Sequence, residues 1–400
     1  MRVLSFLSLT IICLACSSPR QESTSTLKPI LLPSPTAASA AEPFLYSDNN
    51  TTYLSWVEET DSTATLLVSK LDNDKWTQPT KIAAGNSWFV NWADYPMIAS
   101  NGENHIAHFL DRSADGKYTY DVKLTLSNDG GVTWRDPVKL NDDGKDAEHG
   151  FVSMQPFGDN FFVSWLDGRN TVMPEGHEGM NHDMHHGAMT LRAAIIDVNG
   201  NKINEWELDN KTCDCCQTTA AITPNGPVVI YRDRSDEEIR DMSIVRLIDN
   251  QWTTPKAIHN DNWNMPGCPV NGPRSDSKDK TLVVAWYSAA ADSSHVNVIF
   301  SDDAGATFGD AIQINEALTV GRVDVALIDN NTAVVTWIED RQIKMTRVSK
   351  DGTRSQSLAV AGTSDARSSG FPQLVISHNH AIIAWTDDKE NTVKTAMVPL

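Results

Sequence analysis

Val334-Val335-Thr336-Trp337, with Glu339-Asp340-Arg341 close behind, is one copy of a unit that recurs along the chain. A short β-rich run ends on an aromatic residue, and a polar loop follows. The other copies are Tyr53-Leu54-Ser55-Trp56 with Glu58, His105-Ile106-Ala107-His108-Phe109 with Asp111-Arg112, and Phe162-Val163-Ser164-Trp165 with Asp167-Gly168-Arg169. Then come Val228-Val229-Ile230-Tyr231 with Arg232-Asp233-Arg234, Val283-Val284-Ala285-Trp286, and Ile382-Ile383-Ala384-Trp385 with Asp387-Asp388. The aromatic residues lie 53, 56, 66, 55, 51 and 48 positions apart. A repeat of about fifty residues with several short strands has the size of one propeller blade. Helical readings fail, because almost no segment combines a 3.6-residue period with caps. Seven copies predict an all-β propeller of seven four-stranded blades, with six blades as the alternative.

Each unit can be extended. A strand precedes the aromatic one, as in Pro96-Met97-Ile98-Ala99, and a third follows, as in Val122-Lys123-Leu124-Thr125. A tight hairpin then leads to a fourth. Two hairpins are well marked, by Ser127, Asp129, Gly131, Thr133 and Trp134 and by Ser301, Asp303, Gly305, Thr307 and Phe308. The Asp accepts hydrogen bonds from turn amides, the Gly supplies a positive φ, and the aromatic packs between blades. This Ser-x-Asp-x-Gly-x-Thr-Trp/Phe pattern resembles the Asp-box (BNR repeat) of the sialidase-like propellers, and the likeness covers most of residues 42–400. Fainter copies stand at Asp72-Asn73-Asp74-Lys75-Trp76 and Asp249-Asn250-Gln251-Trp252. The seventh unit reaches Leu400 after three strands. Residues 27–32 are expected to supply its fourth, at an edge because Pro29 lacks an N–H.

The chain has 400 residues, 40% hydrophobic and 21% charged, enough for a large packed domain. Its net charge of -19 disfavours nucleic acid as a partner, since phosphate binding needs a basic face. Met1-Arg2 and the apolar run from Val3 to Ala15 have signal-peptide proportions and are too short to span a bilayer. The junction Leu14-Ala15-Cys16-Ser17 resembles a bacterial lipoprotein lipobox, which implies a signal peptide over 1–15 and acylation of Cys16. Ser17 implies sorting to the outer membrane of a two-membrane envelope. Residues 16–41, rich in Ser, Thr, Pro and Ala, then read as a lipidated tether, with a single propeller domain over 42–400.

Antiparallel strands put successive turns at alternate ends of a blade. The Asp-box hairpins therefore share one face. The loops after the aromatic residues and the connections between blades share the other, and function is expected there. Three sets of residues collect on it. The first comprises Arg169, Arg234 and Arg341 with Tyr231 and Asp233. In sialidases several Arg grip a substrate carboxylate and a Tyr attacks, so the resemblance implies these as catalytic candidates for an exo-sialidase. The Arg-Ile-Pro motif of that family is absent, and repeated Asp-Arg pairs also read as ion pairs between blades. The second is a loop with Met173, His177, Met180, His182, Met184, His185, His186 and Met189. Imidazole and thioether together suit copper, Met favouring the reduced ion. The third is Cys213, Cys215, Cys216 and Cys268, the cysteines that follow Cys16. They read either as two disulfides or as a thiolate metal site. The sequence thus points to an envelope lipoprotein whose propeller binds a glycan, a protein partner or copper, with glycoside hydrolysis as the alternative. No cofactor is fixed by it, and copper is the candidate.

If Cys16 is the lipid site, the wild-type protein should incorporate labelled fatty acid and a Cys16→Ala variant should not. Equal labelling of the two would contradict the assignment.

Overall fold

A strand that is apolar on both sides must be covered on both sides. The aromatic-bearing strands are of this kind: Asn160–Asp167 and Thr332–Glu339 each bury seven of their eight residues. In the computed structural model, which describes residues 28–37, 39–48, 50–172 and 187–400, each such strand lies second in an antiparallel sheet, and there are seven sheets. The six-blade alternative is thereby excluded. Cys16 and the loop residues Met173, His177, Met180, His182, Met184, His185 and His186 lie outside the described residues.

The first strands of blades 1 to 7 are Ala40–Ser47, Ile98–Asn101, His149–Phe157, Thr219–Thr223, Arg274–Lys278, Thr319–Leu327 and Gln373–Ser377. They touch one another in sequence and the last touches the first, which closes a ring around a central channel. Apolar residues form seven clusters, one between each pair of neighbouring blades. Trp56, Trp165, Trp286 and Trp337 are wholly buried in them. The core is therefore divided among seven interfaces.

Ring closure uses the N-terminal strand, as expected. Ile30–Leu32 pairs antiparallel with Thr392–Pro399, Ile30 opposite Met397 and Leu32 opposite Thr395. Trp76 of blade 1 donates its indole N–H to the Thr395 hydroxyl at 2.9 Å. Among the described residues the first strand is Ile30–Leu32, and blade 1 begins at Ala40. The stretch read as tether over 16–41 therefore contains the closing strand Ile30–Leu32 and the first residues of the strand Ala40–Ser47.

The two marked hairpins are built alike. The Asp129 carboxylate accepts the Thr133 N–H at 2.9 Å, the Thr133 hydroxyl at 2.6 Å and the Ser127 hydroxyl at 2.7 Å. Asp303 accepts the same three groups from Thr307 and Ser301 at 2.8, 2.7 and 2.8 Å. Gly131 and Gly305 have φ of 86° and 78°, a left-handed region that a Cβ disfavours. Trp134 packs on the cluster shared with blade 1, and Phe308 on that shared with blade 4. The Gly130 N–H donates to the Glu103 carbonyl at 2.9 Å, so this hairpin sits beside the first turn of its blade. The loops after the second strands and the connections between blades lie at the other end.

Burial works against the Asp303 carboxylate, but hydrogen bonds from Thr307 and Ser301 hold it at about 2. A carboxyl depressed on folding stabilises above its unfolded value near 3.9, and that contribution fades as pH falls through the folded value. Asp303→Ala should therefore cost about 1 kcal/mol at neutral pH. The gap from wild type, measured by urea unfolding, should narrow between about pH 4 and pH 2. An unchanged midpoint at neutral pH would show that the turn does not need the carboxylate.

Candidate functional site

The acids that follow the aromatic residues have a repeated task. The indole N–H of Trp56 donates to Glu58 at 2.9 Å, that of Trp165 to Asp167 at 2.9 Å, and that of Trp337 to Glu339 at 3.1 Å. A Trp-x-Asp/Glu spacing puts both side chains on one side of a strand, so the acid satisfies a buried donor two residues away. These carboxylates hold the blades' aromatic anchors.

The sequence-derived arginines are spread among such acids. Arg169 makes a two-pronged contact with Asp167, Nε and Nη2 both at 2.8 Å. Arg234 is bound by Glu238 at 2.8 Å and by Asp214 at 2.9 Å. Arg341 is largely exposed, its Nε 3.4 Å from Asp365. The three belong to blades 3, 4 and 6 and share no partner. Tyr231 is 1% exposed and donates its hydroxyl to Asp209. Burial, with the Asp209 and Asp233 charges, pushes that phenol well above its usual range, so it is held as a neutral donor. Asp233 accepts the Arg234 N–H at 2.6 Å and the Ser243 hydroxyl at 2.9 Å. The arrangement is a set of local ion pairs, and it does not assemble a carboxylate clamp around a nucleophile.

Asp143, His149 and Asp167 present ligand atoms to one another within 4.8 Å. A cation already stands there. Arg169 Nε is 2.8 Å from Asp167 and 3.9 Å from Asp143, while His149 Nε2 is 3.1 Å from Asp143. The guanidinium fills the place that a metal would take.

The cysteines behave differently. Cys213, Cys215 and Cys216 bring their sulfurs within 4.8 Å of one another, with Cys213 and Cys216 3.1 Å apart. Cys268 comes from the next connection between blades and sets its thiol against that of Cys215. No disulfide joins any of the four in this structure. Their exposure is graded: Cys213 and Cys216 are buried, Cys215 is half-buried and Cys268 is exposed.

Backbone contacts fix this convergence. The Cys213 N–H donates to the Arg232 carbonyl at 3.0 Å, and the Thr212 N–H to the Met189 carbonyl at 2.9 Å. Gln217 spans the channel mouth, its amide donating to Ala93 O at 2.6 Å and accepting from the Gly272 N–H at 2.8 Å. A Cβ on Gly272 would stand 2.1 Å from the Gln217 carbonyl oxygen, so the Cys268 loop needs glycine there to approach. Met189, expected as a metal ligand, is buried in the cluster between blades 3 and 4, because it immediately precedes the strand Thr190–Ile196.

Two arginines that sequence reasoning passed over flank the sulfurs. Arg232 is 1% exposed, and its guanidinium donates to three neutral acceptors: Asn271 O, Arg240 O and Tyr287 O, at 2.6 to 3.1 Å. No carboxylate pairs with it among the described residues. Arg240 is 2% exposed and donates from Nη2 to Glu238 at 2.7 Å. Its Nε and Nη1 are buried without a hydrogen-bond partner, and the Cys213 sulfur lies beside this guanidinium. Burial alone would raise the Cys213 thiol, but hydrogen bonds from Cys215 and Cys216 and the Arg232 charge hold it well below the usual thiol range.

Beside the thiols opens a cavity of about 770 Å³. Trp92, Trp263, Tyr287, Arg322, Met265 and Cys268 are among its lining residues. Arg322 stands over the Trp92 ring at 4.9 Å, as Arg232 stands over Trp263 at 4.8 Å.

No family model matches the chain, and no curated protein matches it. Solved structures share the fold. The α-L-arabinofuranosidase Arb93A from Fusarium graminearum superposes with a TM-score of 0.50 at 11% identity, covering 94% of this chain and 97% of that one. The NanB sialidase from Streptococcus pneumoniae superposes with a TM-score of 0.47 at 10% identity, covering 88% and 83%. At such identities the likeness is one of fold.

In the folded, reduced protein, iodoacetamide should modify Cys268 first, while Cys213 and Cys216 stay protected until unfolding. Peptide mapping that finds Cys213 or Cys216 alkylated as fast as Cys268 would contradict the graded burial.

Proposed function

We propose that this protein is a copper(I)-binding propeller whose two or three ligands at a time are drawn from Cys213, Cys215, Cys216 and Cys268. The observation that carries this reading is the convergence of four sulfurs beside two buried guanidinium groups. A buried cation without an anionic partner is strongly unfavourable. Arg232 has neutral acceptors, and Arg240, paired with Glu238 through Nη2, keeps its Nε and Nη1 groups unpaired. Metal-bound thiolates supply the missing negative charge.

Disulfides do not. The geometry would select the pairs Cys213–Cys216 and Cys215–Cys268, but neutral sulfurs leave Arg232 without an anionic partner and Arg240 with Glu238 alone, which it shares with Arg234. Zinc is the other common ion for four thiolates. Copper(I) is favoured because it accepts two or three sulfur ligands, which suits three cysteines crowded into four successive residues, and because thioethers lie close by in the sequence. The His/Met loop ends at Met189, whose carbonyl holds Thr212 next to Cys213. Acylated at Cys16, the propeller would hold this face near a membrane of the cell envelope, where copper is handled outside the cytoplasm.

The aromatic lining of the cavity favours a second reading, a carbohydrate ligand, as for the arabinofuranosidase and the sialidase that share the fold. Turnover of a fluorogenic sialoside or arabinofuranoside by the metal-free protein would support it.

The copper reading is tested anaerobically with a chromophoric copper(I) chelator as competitor. The reduced wild type should withdraw copper from it, and Cys213→Ser or Cys216→Ser should lose this ability while still folded. Bound copper should stabilise the fold by roughly 2.7 kcal/mol at a hundredfold excess over the dissociation constant. Absence of free thiols in the unfolded, unreduced protein, or equal competition by zinc, would overturn the assignment.

A further inference from the structure

The four sulfurs are not equivalent, and their order of exposure runs along a line. Cys213 and Cys216 lie deepest, the Cys215 sulfur lies within 4.8 Å of both, and Cys268 opens on the cavity. The same loop carries Met265, half-buried and also on the cavity wall. It is anchored by the Met265 N–H to the Glu238 carbonyl at 3.0 Å, and the Gly267 N–H turns back on the Met265 carbonyl at 2.8 Å. A thiol and a thioether are thus presented to the same open space, three residues apart on a fixed loop.

We propose that this cavity is the port through which the site is loaded, and that its ligand is a small-thiol complex of copper(I), received by Cys268 with Met265 as a transient ligand. The proposal rests on the copper reading above and adds a route and a substrate class to it. Copper(I) does not persist in water as a free ion, so it must arrive bound to soft ligands. A cavity of about 770 Å³ lies in the size range of small-molecule sites.

The transfer is a ligand exchange without electron transfer. The Cys268 sulfur adds to the two-coordinate copper of a bis(thiolate) complex, forming a copper–sulfur bond. One carrier thiolate then leaves, taking the proton that Cys268 gives up. Cys215 repeats the exchange on the second carrier thiolate, and Cys213 and Cys216 draw the ion inward. In each of these first two exchanges one copper–sulfur bond forms, one breaks, and one proton passes from protein thiol to carrier; in the inward exchange the displaced protein sulfur takes up the proton that the incoming thiol gives up. A thioether has no proton to lose, so Met265 can hold the ion briefly and release it without cost in charge. The two inner thiols, with Arg232 and Arg240 beside them, supply the tighter end of the path.

The test separates rate from affinity. Copper(I) preloaded on N-acetylcysteine is mixed anaerobically with reduced protein in a stopped-flow instrument, and uptake is followed by thiolate-to-copper absorption. Cys268→Ser should slow uptake tenfold or more and Met265→Ile several-fold, while Met265→Ile still fills to the wild-type level after dialysis against the same complex. Wild type alkylated at Cys268 while folded should behave like Cys268→Ser, which covers the case of a variant that folds poorly. Unchanged rates in all three would overturn the port. Failure of the wild type itself to take up copper(I) would instead overturn the binding reading on which the port rests.

Discussion

A four-stranded sheet with apolar side chains on both faces cannot stand alone. Each blade here needs a neighbour on either side, so the structure is stable only as a closed ring. The seven interblade clusters follow from that requirement. So does the joining of Ile30–Leu32 to the last blade, which ties the two ends of the chain together. The aromatic anchors fill the interfaces, and acids two residues further on satisfy their indole donors.

Closure also dictates where chemistry can arise. Connections between blades must cross at one end of the ring, where the first strands converge on the channel. Loops far apart in sequence meet there, as Cys213–Cys216 and Cys268 do across the junctions that flank blade 4. Gln217 and Gly272 fix their approach. At the opposite end the carboxylates of the two marked hairpins are taken up by their own turns.

The blade count was legible because one aromatic strand per unit repeats at a spacing near fifty, and no other common architecture does so. The closing strand was legible as a need of the seventh unit, though the extent of the fold before residue 42 was not, since three residues pair through their backbone and need no distinctive side chains. The cysteines stood out by type, and the open choice between disulfides and metal reflects what sequence holds: partners, but not the charge around them. Arg232 and Arg240 explain the difference. Arg232 sat in an Arg-Asp-Arg loop and read as one more ion pair between blades. Its burial under Trp263, against neutral carbonyls, is a property of the packed ring alone. Arg169 and Arg234 show the reverse case, because ion pairs between blades were read from the sequence and the acids that bind them stand in their own loops.

The claim that four sulfurs and two buried arginines form one metal site is tested most directly by X-ray absorption at the copper edge of the loaded protein. The account predicts a monovalent ion with a shell of two to three sulfur atoms and no nitrogen or oxygen in it. It also predicts that Arg240→Met weakens binding without altering that shell. Copper held by nitrogen or oxygen ligands, with the cysteines joined in disulfides, would contradict it.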